Sequence, residues 1–256
     1  MKLHLQQILD YVHCPMFYRF RYRSAHAKSP YLDMRAKYEE DIHKFMYAYH
    51  SHLQNGDAVD ASTVKRIWGS LWIGEKNKQD LIFTDTGDKR DTWNNKRKQG
   101  IENLITYHLR GKHNIGTPVL VNHEFTVEIR PGVELTGSFE LIQELQGKIE
   151  LVNFFADTKK MTNTLLGKDL EITAQAYAFR KIFGTKEDRI IAYYVDKNQR
   201  KQTIRTKDDE EIFLDSVYNI AVAIKNDLFY IAPSTKCISC VYKEKCDNFL
   251  SRRNLI

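Results

Sequence analysis

The stretch "RPGVELTGSFELIQELQGKIELVNFFAD", residues 130–157, decides how the chain is read. Pro131-Gly132 and Gln146-Gly147 are turn signals, and the runs between them are rich in Val, Ile, Leu and Phe. A third such run, "PVLVNHEFTVEI" (118–129), stands directly in front. Apolar runs of this length bounded by turn dipeptides predict an antiparallel meander. Working outward, "KDLEITAQAYAFRKIF" (168–183) predicts a helix with Gly184 just past its end, where a left-handed residue closes the last turn. "RIIAYYVD" (189–196) predicts a buried strand and "DEEIFLDSVYNIAVAIKND" (209–227) a further helix.

Upstream the period changes. Tyr38, Ile42, Phe45, Met46 and Tyr49 recur at helical spacing, as do Val64, Ile67, Trp68 and Leu71. The polar stretch "TDTGDKRDTWNNKRKQG" (84–100) reads as an interruption before "IENLITYHL" resumes a helix. Helices, meander, helix, strand and helix in that order predict one α/β domain. Its parts are a helical lobe (1–117), a core (118–230) and a cysteine-rich tail (231–256).

The bulk numbers set limits on function. The chain has 256 residues, 42% hydrophobic and 28% charged, as expected of a globular protein with a full core. No apolar run reaches the ~18 residues of a membrane span, and "MKLHLQQILDYV" lacks a secretory h-region. The expectation is an intracellular protein with reduced thiols and no membrane contact. A net charge of +6 and a pI near 9.0 permit nucleic-acid binding without establishing it.

The cysteines are few and sit at the two ends. Cys237, Cys240 and Cys246 form C-x2-C-x5-C, and Cys14 is the fourth. A trio set among Lys236, Lys243, Glu244, Lys245 and Asp247 is too polar for a buried core and points to metal. Structural zinc and an iron–sulfur cluster both take four such ligands, and spacing leaves both open. A site joining Cys14 to Cys246 would close a loop of 246 − 14 = 232 steps and restrain the unfolded chain.

"LQQILDYVHCPMFYRFRY" (5–22), with its Tyr-x-x-Cys-Pro, together with the trio resembles the RecB-like, iron–sulfur-containing nucleases of the PD-(D/E)XK superfamily. CRISPR-associated RecB-like exonucleases and AddAB-type nuclease domains belong to that group. The resemblance runs the length of the chain. It implies a restriction-endonuclease-like core, a central mixed sheet flanked by helices. It also implies a [4Fe–4S] cluster on Cys14, Cys237, Cys240 and Cys246. "DIHKFMYAYH" (41–50) resembles the motif whose histidine, here His43, touches a metal ion, and Glu124 and Gly137 fall in strands entering the meander.

Phosphodiester cleavage in such proteins uses Mg2+ or Mn2+ held by carboxylates, with a lysine nearby to orient water. Here Glu140 takes the place of the first acid. The resemblance then puts Asn153-Phe154-Phe155 where Asp-x-Lys is expected, and Glu171 and Gln175 where Gln-x-x-x-Tyr is expected. Asn153 is a poorer ligand and Phe155 carries no charge. A literal Asp157-Thr158-Lys159 follows, but four residues of regular strand displace it by about 13 Å from Asn153. Only a bulge or altered register would bring it back beside Glu140.

Arg19, Arg21 and Arg23, interleaved with Tyr18, Phe20 and Tyr22, suit single-stranded DNA as readily as they suit a packed helix with a solvated face. The expectation is therefore a DNA-binding protein of replication, recombination or repair with a degenerate nuclease site, acting on single strands or duplex ends and able to serve a protein complex. The competing expectations are an active exonuclease using Glu140, Asp157, Lys159 and His43, and a zinc-stabilised protein without a nucleic-acid role.

Overall fold

The computed structural model describes residues 1–23, 32–72, 81–82, 89–111, 114–156 and 162–251. Three strands form the expected meander: β4 (Thr117–Arg130), β5 (Val133–Leu145) and β6 (Lys148–Phe155). The first turn has Gly132 at φ 78°, which suits the third position of a Pro-Gly turn. The second has Gln146 and Gly147 both at positive φ, the tight hairpin turn whose twist matches its strands. β7 (Arg189–Tyr194) lies parallel to β6, and β8 (Gln199–Thr203) antiparallel to β7. β1 (Lys2–His4) adds to β5 in parallel, Lys2 to His4 facing Glu134 to Thr136. The six strands run β1-β5-β6-β7-β8, with β4 on the other side of β5. A separate pair joins β2 (Leu32–Asp33) to β3 (Leu81–Ile82).

Helices cover both faces. α1 (Leu5–His13), α2 (Pro15–Tyr22), α7 (Leu170–Phe183) and α8 (Lys207–Lys225) belong to one layer, whose core includes Ile8, Leu135, Phe139, Ile172, Phe179 and Val217. α3 (Met34–Gln54), α4 (Ala61–Leu71) and α5 (Lys89–Arg110) form the other, around Ile42, Phe45, Trp68, Leu104, Val152 and Tyr193. The short α6 (Asn163–Gly167) precedes α7, and α9 (Lys243–Ser251) closes the described chain.

Three sequence expectations need correction. The polar stretch at 84–100 is not a break throughout, because α5 begins at Lys89 and buries Trp93 against Trp72 at 4.5 Å between ring centroids. The expected order of helix, strand and helix after the meander lacks β8, which follows β7 in the polar residues Gln199–Thr203. The lobe of residues 1–117 is not wholly helical, since β1 sits within the main sheet.

α7 shows how local sequence places the site. Asp169 accepts from the Ile172 amide as its N-cap, and Gly184 closes the other end at φ 65°. Arg205, 1% exposed, anchors that entry by donating to Thr173 Oγ1 (2.7 Å) and to the carbonyls of Leu166 (2.9 Å) and Asp169 (3.3 Å).

Candidate active site and cysteine cavity

β5 changes partner along one edge. Residues 134–136 pair with β1 and 141–145 with β6, so 137–140 face neither strand. Glu140 stands at the end of that gap, 5% exposed. One carboxylate oxygen meets His43 Nδ1 of α3 at 3.0 Å, and the other accepts the Phe154 amide of β6 at 2.6 Å. The second bond replaces a ladder bond that the parting strands cannot make. His43 thus comes from one helical layer, while Glu171, on α7 in the other, is near enough to feel the charge of Glu140.

The electrostatics record that convergence. Burial disfavours the His43 cation, but the charge and hydrogen bond of Glu140, helped by Glu171 and Glu39, outweigh it and raise the pKa to about 9. Burial, then the charges of Glu140 and Asp169, push Glu171 up to about 8. Tyr47, one turn beyond His43, is pushed up by burial and then by both glutamates. Asp169 is raised chiefly by burial.

Asn153 completes the picture. The recorded register ends at Leu141–Val152, so Glu140 and Asn153 are the first residues of each strand past the pairing, where the strands part. Asn153 is 3% exposed, and neither atom of its amide has a partner. Gln175, one turn after Glu171 on α7, is 2% exposed with an unpartnered Nε2. Phe155 stacks on Tyr194 at 5.4 Å. The sequence thus placed Glu140 and His43 together as the structure does, while Asp157 and Lys159 lie outside the described residues. It treated Glu171 and Gln175 as lost polar groups and did not single out Tyr47 or Asp169. Glu124 is exposed on β4 and plays no part in the cleft.

The donors suit a hard divalent cation in kind: a carboxylate, an imidazole, an orphaned amide oxygen and a second carboxylate nearby. Among the described residues, however, no three His, Cys, Asp or Glu side chains stand ready as a metal site.

The chain ends meet at a separate place, which shares none of these residues. Tyr11 donates to the Leu228 carbonyl at 2.6 Å, the Met16 amide to Tyr230 at 3.2 Å, and Phe17 packs on Tyr242 at 5.1 Å. One cavity of about 200 Å³ is lined by all four cysteines, Cys14, Cys237, Cys240 and Cys246, with His13, Phe17 and Phe20 around them. Burial, then the neighbouring thiols, push the Cys240 and Cys246 thiols up.

The α2 arginines serve this joint. Arg21 pairs with Asp10 at 3.1 Å, Tyr22 donates to the same carboxylate at 2.7 Å, and Arg19 lies over Phe249 at 5.6 Å. Arg23 caps the helix and is exposed.

A mixed sheet clad by helices, with an acid where its central strand changes partner, defines a nuclease-like α/β protein. Residues 5–247 match the PD-(D/E)XK nuclease superfamily, and the chain belongs to that superfamily. No curated protein matches it. Proteins of this superfamily usually use Mg2+ or Mn2+, and the fold implies nucleic-acid binding and DNA processing. Among the described residues, no helix is long and apolar enough to cross a membrane.

Proposed function

We propose that the protein is a RecB-like iron–sulfur member of its superfamily that binds DNA and has impaired or lost nuclease activity. The observation that carries this reading is the pair on β6. Asn153 presents an unpartnered amide at the parting of β5 and β6 where a carboxylate is needed, and Phe155 is committed to Tyr194 where a lysine would orient water. Glu140 and His43 would hold a divalent ion, whose chemistry is to polarise a phosphate oxygen. Their own work is binding and orientation. With Phe155 in the place of the lysine that would steer a nucleophile, binding outlasts catalysis.

Cys14, Cys237, Cys240 and Cys246 would hold a [4Fe–4S] cluster, and their convergence on one cavity supports this assignment. The cluster would clip the packed chain ends together. Arg19, Arg21, Tyr22 and Arg23 would contact DNA, and Arg21 and Arg23 among them are exposed. A replication, recombination or repair complex in the cell is the setting in which a non-cutting nuclease fold retains a use.

Two experiments test the reading. Anaerobically purified protein should absorb in the visible, and Cys240→Ala should remove both that absorption and part of the melting temperature. Colourless wild-type protein containing zinc would overturn the cluster. Single-stranded DNA with Mn2+ should be bound and left intact. Cleavage abolished by Glu140→Ala would instead make the protein an active nuclease, and its loss in Asp157→Ala and Lys159→Ala would assign the shifted Asp-x-Lys.

A further inference from the structure

Strand β4 stands at an edge of the sheet: among the described residues it pairs with β5 alone. The ladder fixes which of its backbone groups are left over. The Glu134 amide of β5 donates to the Met1 carbonyl at 2.8 Å, on the β1 side, so it points away from β4. In an antiparallel ladder the residue opposite such a group, here Glu128, also turns its N–H and C=O away from its partner strand. The register is unbroken from His123 to Glu128, so Thr126 and Glu124 turn the same way at period two. The Tyr177 hydroxyl of α7 donates to the Glu128 carbonyl at 2.8 Å, as that orientation allows. Among the described residues, nothing accepts from the outward amides of Glu124, Thr126 and Glu128. Such a row of free amides and carbonyls is a template for one more strand.

A groove of about 590 Å³ runs beside this edge, between residues 126–131 and the helices α7 and α8. Part of its lining is apolar: Val127, Ile129 and Leu214 are buried, and Ile182 is 46% exposed. Its charge is acidic. Arg130 is shared by Glu211 at 3.1 Å and Asp215 at 2.8 Å, and Arg180 by Glu187 and Glu210, so each cation is outnumbered. Lys181 lies over the Tyr177 ring at 5.8 Å. Glu124 and Glu128 are exposed along the strand itself. In a chain of net charge +6 this edge is a negative strip.

Two occupants are disfavoured on those grounds. A nucleic-acid backbone is repelled. A second copy paired antiparallel about Thr126 would set Glu124 of each chain against Glu128 of the other, like charges directly opposite.

We propose that the β4 edge docks an extended basic segment of a partner protein, which joins the sheet as a further strand beside Glu124, Thr126 and Glu128. Alternation sets the chemistry of that segment. Lysine or arginine at two positions four apart stand opposite Glu124 and Glu128, with Thr126 between them. The two residues flanking the centre turn to the other face, toward Tyr177, Ile182 and Leu214, and are apolar. This surface shares no residue with the Glu140 site or the cysteine cavity, so it stands whether or not the protein cuts DNA or carries a cluster.

The probe is a fluorescein-labelled peptide containing Lys-Val-Thr-Val-Lys, titrated into the full chain and read by anisotropy, with Glu-Val-Thr-Val-Glu as its counterpart. Wild type should bind the lysine peptide and not the glutamate one, more weakly as salt is added. Thr126→Pro removes an outward donor while leaving the β5 ladder intact, so it should weaken binding roughly tenfold with circular dichroism unchanged. The double variant Glu124→Lys, Glu128→Lys alters only exposed side chains and should exchange the preference, taking the glutamate peptide instead. In hydrogen exchange the amides of Glu124, Thr126 and Glu128 should be open in the free protein and protected by the lysine peptide. A lysine peptide that fails to bind, or that binds wild type and the double variant equally, overturns the site. Protection of the same amides by single-stranded DNA would give the edge to nucleic acid. A dimer in sedimentation that Thr126→Pro dissolves would give it to a second copy, and either result overturns the proposal.

Discussion

Replacing Glu140 by glutamine should discharge His43 and flatten the dependence of stability on pH. The carboxylate at 3.0 Å holds the imidazole pKa near 9 against the opposing pull of burial, compared with 6.5 for an ordinary histidine. A histidine raised on folding contributes stability that is complete below about 6.5 and is lost as pH climbs through about 9. The shift of 9 − 6.5 = 2.5 units corresponds to roughly 3 kcal/mol at 1.36 kcal/mol per unit. Glu171 acts in the same direction. Raised from 4.5 to about 8 by burial and then by Glu140, it holds its proton longer when folded, so stability falls as pH rises across that interval. Urea unfolding between pH 6 and pH 10 should therefore give a wild type that weakens steadily with pH. The Glu140→Gln protein should start lower and lose most of the slope above pH 6.5. Its His43, left with burial against the lesser charges of Glu171 and Glu39, should titrate well below the wild-type midpoint by NMR. Parallel slopes for the two proteins, or a wild-type His43 midpoint at or below 6.5, would refute the reasoning.

Three further perturbations follow from the packing. Asn153→Leu should stabilise the fold by about 1 kcal/mol, read as a higher urea midpoint, by removing an unsatisfied buried amide at the expense of cation binding. Glu150 is fully buried and accepts from Arg200 twice at 2.7 Å, from Arg189 at 3.0 Å and from Gln143 at 2.8 Å. Glu150→Ala should cost roughly 3–5 kcal/mol, and adding Arg200→Ala should cost less than the sum of the two single changes. Gly100→Ala would set a methyl 2.1 Å from Trp68 Cζ2, so it should lower the melting temperature despite alanine's better helix propensity, with overpacking of roughly 1–3 kcal/mol outweighing a gain of about 1 kcal/mol.

Those residues also show what the sequence made legible. The meander and α7 were readable because their signals are local: Pro131-Gly132 and Gln146-Gly147 turn, Asp169 caps and Gly184 takes the left-handed close. α5 was partly hidden because its inward residues, Trp93, Gly100, Leu104 and Tyr107, are sparse among lysines and asparagines, and one of them is a glycine. β8, "QRKQT", has no apolar alternation, since it is an edge strand whose place comes from pairing with β7. β1 is three residues long and exists through β5. Glu140 and His43 were found by motif order. Glu171 was named the same way, but its coupling to Glu140 was not legible, because that depends on how α7 crosses the sheet rather than on spacing along the chain.

The pairing of residues 2–4 with 134–136 has a consequence for how the chain assembles. During synthesis, strand β1 emerges first and finds no partner until more than a hundred further residues have followed. The two tight hairpins of β4, β5 and β6 are local and suited to form early, whereas β1 must close a long loop, a slow event in chains rich in distant contacts. Cys14 lies just behind that strand, and its companions arrive only at 237–246. Contact order therefore favours folding from the middle outward, with the four cysteines brought together last.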